Sequence, residues 1–271
     1  MSEILSGADA LDALTNDGGS GGSNAEFSSF KSGSTYVVKV VDPTAIMRFY
    51  SYGIFKKVNS FVAKNPSKKS RAGNPVENLT PWDKAWKMYA DKSEKFGDDS
   101  SQEAYKYKPK ERYAMAFYDL DSGEPIIIDF SKKQGQAVYA VINENRDKLG
   151  NLAFKLSKRG ESTSTTVSLS PYVNVDHVQK MKQAGIEVDD DLTDKQQANF
   201  DKAPEKYDEN LFEGLLYEAD EDEQIQLLAQ AGFDVSLIGL EVPKGDGKAG
   251  GDSEEAAPVD NGEISDDDLP F

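Results

Sequence analysis

From Tyr36 the chain reads YVVKVV, and from Ile46 to Ala63 it reads IMRFYSYGIFKKVNSFVA; in both, β-branched and aromatic residues alternate with polar ones at the two-residue period of a half-buried strand. Both stretches are expected to be strands. The polar run KNPSKKSRAGNPVENL that follows is rich in turn formers. After it, Thr80 and Pro81 have the residue types of a helix N-cap and first helical position, opening a helix that carries Trp82, Trp86 and Tyr89. YKYKPKERYAMAFYDL, the turn DSGE and PIIIDF predict a β-hairpin around Ser122 and Gly123. In SKKQGQAVYAVINENRDKL, Val138, Val141, Ile142 and Leu149 fall at helical intervals, and LAFKLSKRG with TTVSLSPYV predicts two further strands.

At least five short strands with one helix inserted late suit an oligonucleotide-binding (OB)-like Greek-key barrel better than a doubly wound sheet, which needs alternating βα units. The expected fold is a mainly β core with inserted and C-terminal helices. Residues 1–26 open with SEILSGADALDAL, near helical spacing, and pass into the linker NDGGSGGSN; the pattern fits a short partner-docking helix or a frayed terminus. Residues 27–180 form the core, with an insert at about 64–104. In residues 181–240, LTDKQQANFDK, YDENLFEGLLYEA and EDEQIQLLAQAGF predict acidic helices, the last stopped by Gly232, which brace the barrel or mediate oligomerisation. Residues 241–271 are Gly, Ala, Pro and acid with almost no aliphatic content, the composition of a disordered tail.

Charge reverses the first impression of this chain. A formal −17 over 271 residues argues against a nucleic-acid partner. Residues 31–182, however, carry 26 Lys/Arg against 17 Asp/Glu, whereas 183–271 carry 5 against 26, so a basic body bears an acidic C-terminal part. The absence of cysteine excludes disulfides, thiol catalysis and cysteine-ligated metal, and the lone His177 adds no ligand cluster, so no metal or other cofactor is expected. No apolar run approaches the roughly 18 residues of a membrane span. A cytoplasmic location is expected, the host cytoplasm if the source is viral.

Cations that follow phosphates and flat rings on which unpaired bases stack are together what a single-strand binder needs. They are interleaved here in Arg48, Phe49, Tyr50, Ser51 and Tyr52 with Lys56 and Lys57, and in Tyr105, Lys106, Tyr107 and Lys108 with Lys110, Arg112 and Tyr113. Lys132 with Lys133, and Lys158 with Arg159, extend the set. Tyr105, Tyr107 and Tyr113, close to lysine or arginine, are the expected stacking rings, whereas Phe49, Phe61, Phe117 and Phe130 are expected in the core. Trp82 and Trp86, at i and i+4, are expected to pin their helix. The chain ends Asp266, Asp267, Asp268, Leu269, Pro270, Phe271: a terminal ring for an apolar pocket, with carboxylates for its basic rim.

That ending resembles the acidic tip of bacterial single-stranded DNA-binding proteins, and the resemblance implies recruitment of replication and recombination enzymes such as a polymerase, a helicase or primase, or a nuclease. Separately, KPKERYAMAFYDLDSGEPIIIDFSKKQGQAVYAVI followed by LAFKLSKRG is similar in order and spacing to the core of the T-even phage helix-destabilising proteins. That similarity implies DNA-contacting positions at Lys110, Arg112, Tyr113, Lys132 and Lys133. The family's core holds a zinc subdomain, but the corresponding insert here has no Cys or His, so zinc is not expected and the Trp-bearing helix takes its structural place. The resulting expectation is a non-enzymatic protein that coats single-stranded DNA in replication, recombination and repair, with homo-oligomerisation open. A recombination single-strand annealing protein is the alternative. A nuclease would need clustered core carboxylates, where only Asp119 and Asp121 stand near a turn, and a DNA mimic would not have the basic middle.

Overall fold

The computed structural model describes residues 25–160, 164–208 and 210–243. In chain order it forms β1 (Thr35–Lys39), β2 (Ile46–Ile54), β3 (Val58–Ala63), β4 (Lys68–Lys69), β5 (Pro75–Glu77), α1 (Pro81–Ala90), α2 (Asp99–Tyr107), β6 (Lys110–Asp119) and β7 (Glu124–Ser131). There follow α3 (Lys132–Glu144), β8 (Leu152–Arg159), β9 (Thr166–Asn174), α4 (Val175–Gln183), α5 (Asp194–Lys202), β10 (Glu218–Ala219) and α6 (Glu221–Gln230).

Strand β6 is the trunk of the sheet. β7 pairs antiparallel along one edge of it, and the other edge is shared, β2 taking Lys110–Met115 and β1 taking Tyr118 and Asp119. β1 continues to β8 and β8 to β9, while β2 continues to β3, which receives β10 in parallel. No pairing among the described residues joins the sheet's ends, so it is open and the expected barrel is not closed by strand hydrogen bonds. Helix α3 touches β6 and β7 on one side and β9 on the other, so helix side chains occupy the gap between these strands. The coarser expectation, a mainly β core with inserted and C-terminal helices, holds.

The hairpin forms where Ser122 and Gly123 place it: Asp119 accepts from the backbone N–H groups of Asp121 and Ser122, and Gly123 adopts φ +83°. A Cβ there would also meet the Asn199 side-chain oxygen at 2.8 Å. Alternation then sorts β6. Met115 and Phe117 face α3 together with Ile128, Phe130, Phe154, Leu156, Val138 and Ile142, whereas Ala114 and Ala116 face a second layer with Ile127, Tyr207 and Leu215.

The insert is anchored by α1. Thr80 and Asp83 make a reciprocal capping box, and Trp82, with no exposed surface, donates its indole N–H to the Gln224 carbonyl at 3.0 Å. Around Trp82 gather Tyr52, Phe61, Tyr107, Leu228 and Phe233, so the C-terminal helix α6 braces this end of the sheet, one of the two roles expected for it.

Two stretches differ from expectation. Tyr105–Lys106–Tyr107 closes helix α2 instead of opening β6, because Asp98 caps that helix and Pro109 then ends it. Hydrogen bonds from the backbone N–H groups of Ser101 and Lys95, helped by Ser93 and Glu94, hold the Asp98 carboxyl down at about 2. Within 207–219 the expected helix is a turn followed by β10. Gly214 sits there at φ +75°, and Leu211, Phe212 and Leu216 pack onto the Ala114/Ala116 face as an irregular strap. Among the described residues no helix is long and apolar enough to cross a membrane.

Asp83 is completely buried, accepting from the Tyr52 hydroxyl at 2.9 Å, with Lys69 Nζ 3.8 Å away. Asp83→Ala is expected to cost on the order of 3–5 kcal/mol, since it strands a buried cation and a buried hydroxyl. Lys68→Ala, which removes an exposed pair with Glu77, should cost about 1 kcal/mol or less. Urea unfolding midpoints of the two variants test this, and equal effects would show that Asp83 does not fasten the insert.

Candidate nucleic-acid interface

Where α3 begins, the face of the sheet that it covers runs on uncovered. The register aligns Ile46 with Met115, Arg48 with Tyr113 and Tyr50 with Glu111, so the alternation that fills the core at Met115 and Phe117 continues outward as Tyr113 and Glu111. A cleft of about 330 Å³ lies at this end. It is bounded by Tyr50 of β2, by Tyr105, Lys108 and Pro109 at the end of α2, by Lys110 and Arg112 of β6, by Lys132, Lys133 and Gln136 of α3, and by the insert loop at Ala72 and Gly73. The loop passes so close that a Cβ on Gly73, at φ +78°, would lie 3.8 Å from the Tyr50 ring.

Glu111 organises the charges. Lys132 donates to its Oε2 at 3.1 Å, the Tyr113 hydroxyl donates to its Oε1 at 2.8 Å, and Arg48 Nε stands 3.7 Å away. Burial pushes the Glu111 carboxyl up, but the Tyr113 and Lys132 hydrogen bonds and the charges of Lys132 and Arg48 outweigh it, and the net shift is downward. The Lys132 ammonium is raised by the same bond, while Lys108 is lowered by burial. Five cationic side chains line the cleft against this one carboxylate. The Arg48 guanidinium lies 5.4 Å and the Lys69 ammonium 5.5 Å from the centre of the Tyr50 ring.

The structure thus brings Tyr50, Tyr105, Lys108, Lys110, Arg112, Lys132 and Lys133 together, with Arg48 and Tyr113 at the margin. The other candidates lie elsewhere. Tyr52, two residues beyond Tyr50, is buried because the Trp82 cluster of the insert covers that end of β2, where Asp83 accepts the hydrogen bond of its hydroxyl. Tyr107 is buried too, stacked on Tyr89 and edge-on to Phe233, since it lies on the inner side of a helix instead of on a strand, and burial pushes its phenol up to about 12. Neither is a stacking platform.

Arg112 lines the cleft with its fork held by Asp129, Nε to Oδ1 and Nη2 to Oδ2 both at 2.9 Å, which makes it a wall brace. Lys106 pairs with Glu103 one turn earlier on the same helix. Lys56 and Lys57 ride the exposed β2–β3 turn, with Phe55 57% exposed beside them and Lys57 reaching the Ala231 carbonyl. Lys158 and Arg159 end β8, at the opposite end of the strand register from Lys110. Asp266, Asp267, Asp268, Leu269, Pro270 and Phe271 lie outside the described residues.

Sequence reasoning missed Glu111, Gln136 and Tyr139, and it left Lys69, in the run Lys68–Arg71, evenly between a backbone clamp and a solvated loop. Gln136 and Tyr139 stand four and seven residues after Lys132, one face of a helix, so extending the helical period from that lysine finds both. Nothing local distinguishes Lys69 from its neighbours in a basic loop.

Because the Glu111 carboxyl is held below its ordinary value, it contributes stability at pH values above 4.5 and loses that contribution as the pH falls through its folded-state value. The native protein should therefore exceed Glu111→Gln in melting temperature at pH 7, with the gap closing on acidification. A gap independent of pH would contradict the ionised cluster. Comparison of the chain with protein-family models, with curated proteins and with solved structures yields no match, so the functional case is made from these side chains.

Proposed function

We propose that this protein binds single-stranded DNA stoichiometrically, shielding unpaired strands during replication, recombination or repair. The observation that carries the reading is the cleft itself, where two tyrosine rings and a set of lysines from four separate elements converge at the end of the sheet. Lys108, Lys110, Lys132 and Lys133 supply the charge that tracks a phosphate backbone, and Tyr50 and Tyr105 supply faces that accept any base. The curled strands with α3 in their gap are read as an OB-like arrangement. Residues 266–271 are proposed to recruit replication and recombination enzymes, with a terminal ring suited to an apolar pocket and carboxylates suited to a basic rim.

Fluorescence anisotropy with a labelled oligothymidine and the matching duplex, at two salt concentrations, tests the proposal. The single strand is expected to bind in preference and to weaken with salt. Tyr50→Ala and Tyr105→Ala should each cost about 1–3 kcal/mol of affinity. The double variant Lys110→Ala/Lys132→Ala should flatten the salt dependence by about 0.7 for each phosphate it no longer neutralises. Lys158→Ala/Arg159→Ala should change little. Equal loss from both lysine-containing doubles would place binding outside the cleft, and no binding at all would sink the function.

A further inference from the structure

The cationic cleft does not end at Lys132. That residue and Gln136 also line a second cavity of about 250 Å³, so the two spaces adjoin along α3. The second cavity has a different chemistry. Ile46 and Met115, opposite each other in the β2–β6 register, form its inner end with Pro43, while Tyr113 and the partly exposed Tyr139 supply flat walls. Apart from the tyrosine hydroxyls, its polar groups are those of Thr44, Lys132 and Gln136, at the side shared with the cleft or on the loop. The Tyr113 hydroxyl is already donated to Glu111.

Gly135 makes room for this groove. It lies inside α3, where glycine costs roughly 0.5–1 kcal/mol relative to alanine. A Cβ there would approach the Met115 methyl to 3.3 Å and Tyr113 Cβ to 3.5 Å, so its absence lets the helix lie close to β6.

We infer that this groove is a nucleobase subsite, holding one base turned out of the strand whose backbone lies in the adjoining cleft, and that it favours thymine. The inference rests on the single-strand reading above. A base has apolar faces and a polar edge, which matches flat tyrosine walls with one amide, Gln136, at the rim. The volume falls below the roughly 300–1,000 Å³ of pockets that take a whole drug-sized ligand, which suits one single-ring base. Among single-ring bases of DNA only thymine carries a methyl group for the Ile46–Met115 end, and apolar contact is how that methyl is read. Lys132, which lines both spaces, supplies the occupant, since a phosphate held by that lysine leaves its own base within reach of the groove.

The test uses the full chain and two probes. Oligothymidine and oligodeoxyuridine of equal length differ only by the methyl, and thymidine should win by about fourfold per occupied subsite, the worth of one buried methyl group. In parallel, an oligothymidine carrying a single 5-iodouracil is photocrosslinked and the attachment mapped by mass spectrometry, with Tyr139 or Tyr113 expected. Tyr139→Ala should level the two affinities without altering the salt dependence. Equal affinity of the native protein for the two oligomers overturns the inference, as do crosslinks confined to Tyr50 and Tyr105, while either result leaves single-strand binding standing. Failure to bind both oligomers overturns the function as well.

Discussion

A fully buried carboxylate constrains its surroundings more than any apolar contact, because each oxygen must find a partner or the fold loses several kcal/mol. Asp83 meets that demand with groups from three elements: the Tyr52 hydroxyl on β2, the Thr80 backbone N–H at the start of α1, and the Lys69 ammonium on β4. Lys69 in turn donates to Ser67 and Tyr52, and burial lowers its affinity for a proton although Asp83 works to raise it. The result is a polar knot at the base of the insert. Its consequence reaches the cleft, since fixing Lys69 fixes the loop that follows, and that loop brings Gly73 against the Tyr50 ring and Lys69 over it.

The cleft is also an outgrowth of the core along β6. On one face of that strand Phe117 and Met115 are sealed under α3, Tyr113 is half-sealed, and Glu111 emerges among cations. A single alternating run therefore passes from packing to recognition with no change of secondary structure, so the side chains of the site sit on a frame held by the hydrophobic cluster behind them. The Arg112–Asp129 fork ties β6 to β7 at the same level on the opposite side, which keeps the strand pair from splaying where the cleft begins.

This geometry accounts for what was legible in the chain. Local chemistry was readable: the Thr80–Pro81 start of α1, the Ser122–Gly123 turn, and the helical spacing of Val138, Val141 and Ile142 in α3, whereas the grouping of Lys110 with Lys132 and Lys133 came only from a resemblance. Burial of individual rings was not, because lysine on either side of a tyrosine argues for water only if the tyrosine shares their face. Tyr107 packs inward while Lys106 pairs with Glu103 and Lys108 lines the cleft, and Tyr52 faces Asp83, 31 residues distant, which no local pattern announces. Barrel closure was likewise illegible. Whether β7 and β9 meet depends on how far the sheet curls, and here α3 packs against both strands.

The acidity of the chain and the basicity of its cleft conflict only if charge is summed over the whole molecule. At physiological salt an exposed charge is screened beyond about 8 Å, so a phosphate entering between Tyr50 and Lys132 responds to the lysines around it and little to acids farther away. Many of the described acids already have local work. Asp194 lies in the first turn of α5, Glu221, Asp222 and Glu223 lie in the first turn of α6, and Asp220 caps α6, where carboxylates offset the positive helix end. Among the described α-helices α3 is the exception, with Lys132 and Lys133 in its first turn and no acid there, so its positive end adds to the field of the cleft instead of being cancelled. The distribution of charge among helix ends, more than its total, makes this one end of the sheet attractive to an anionic chain.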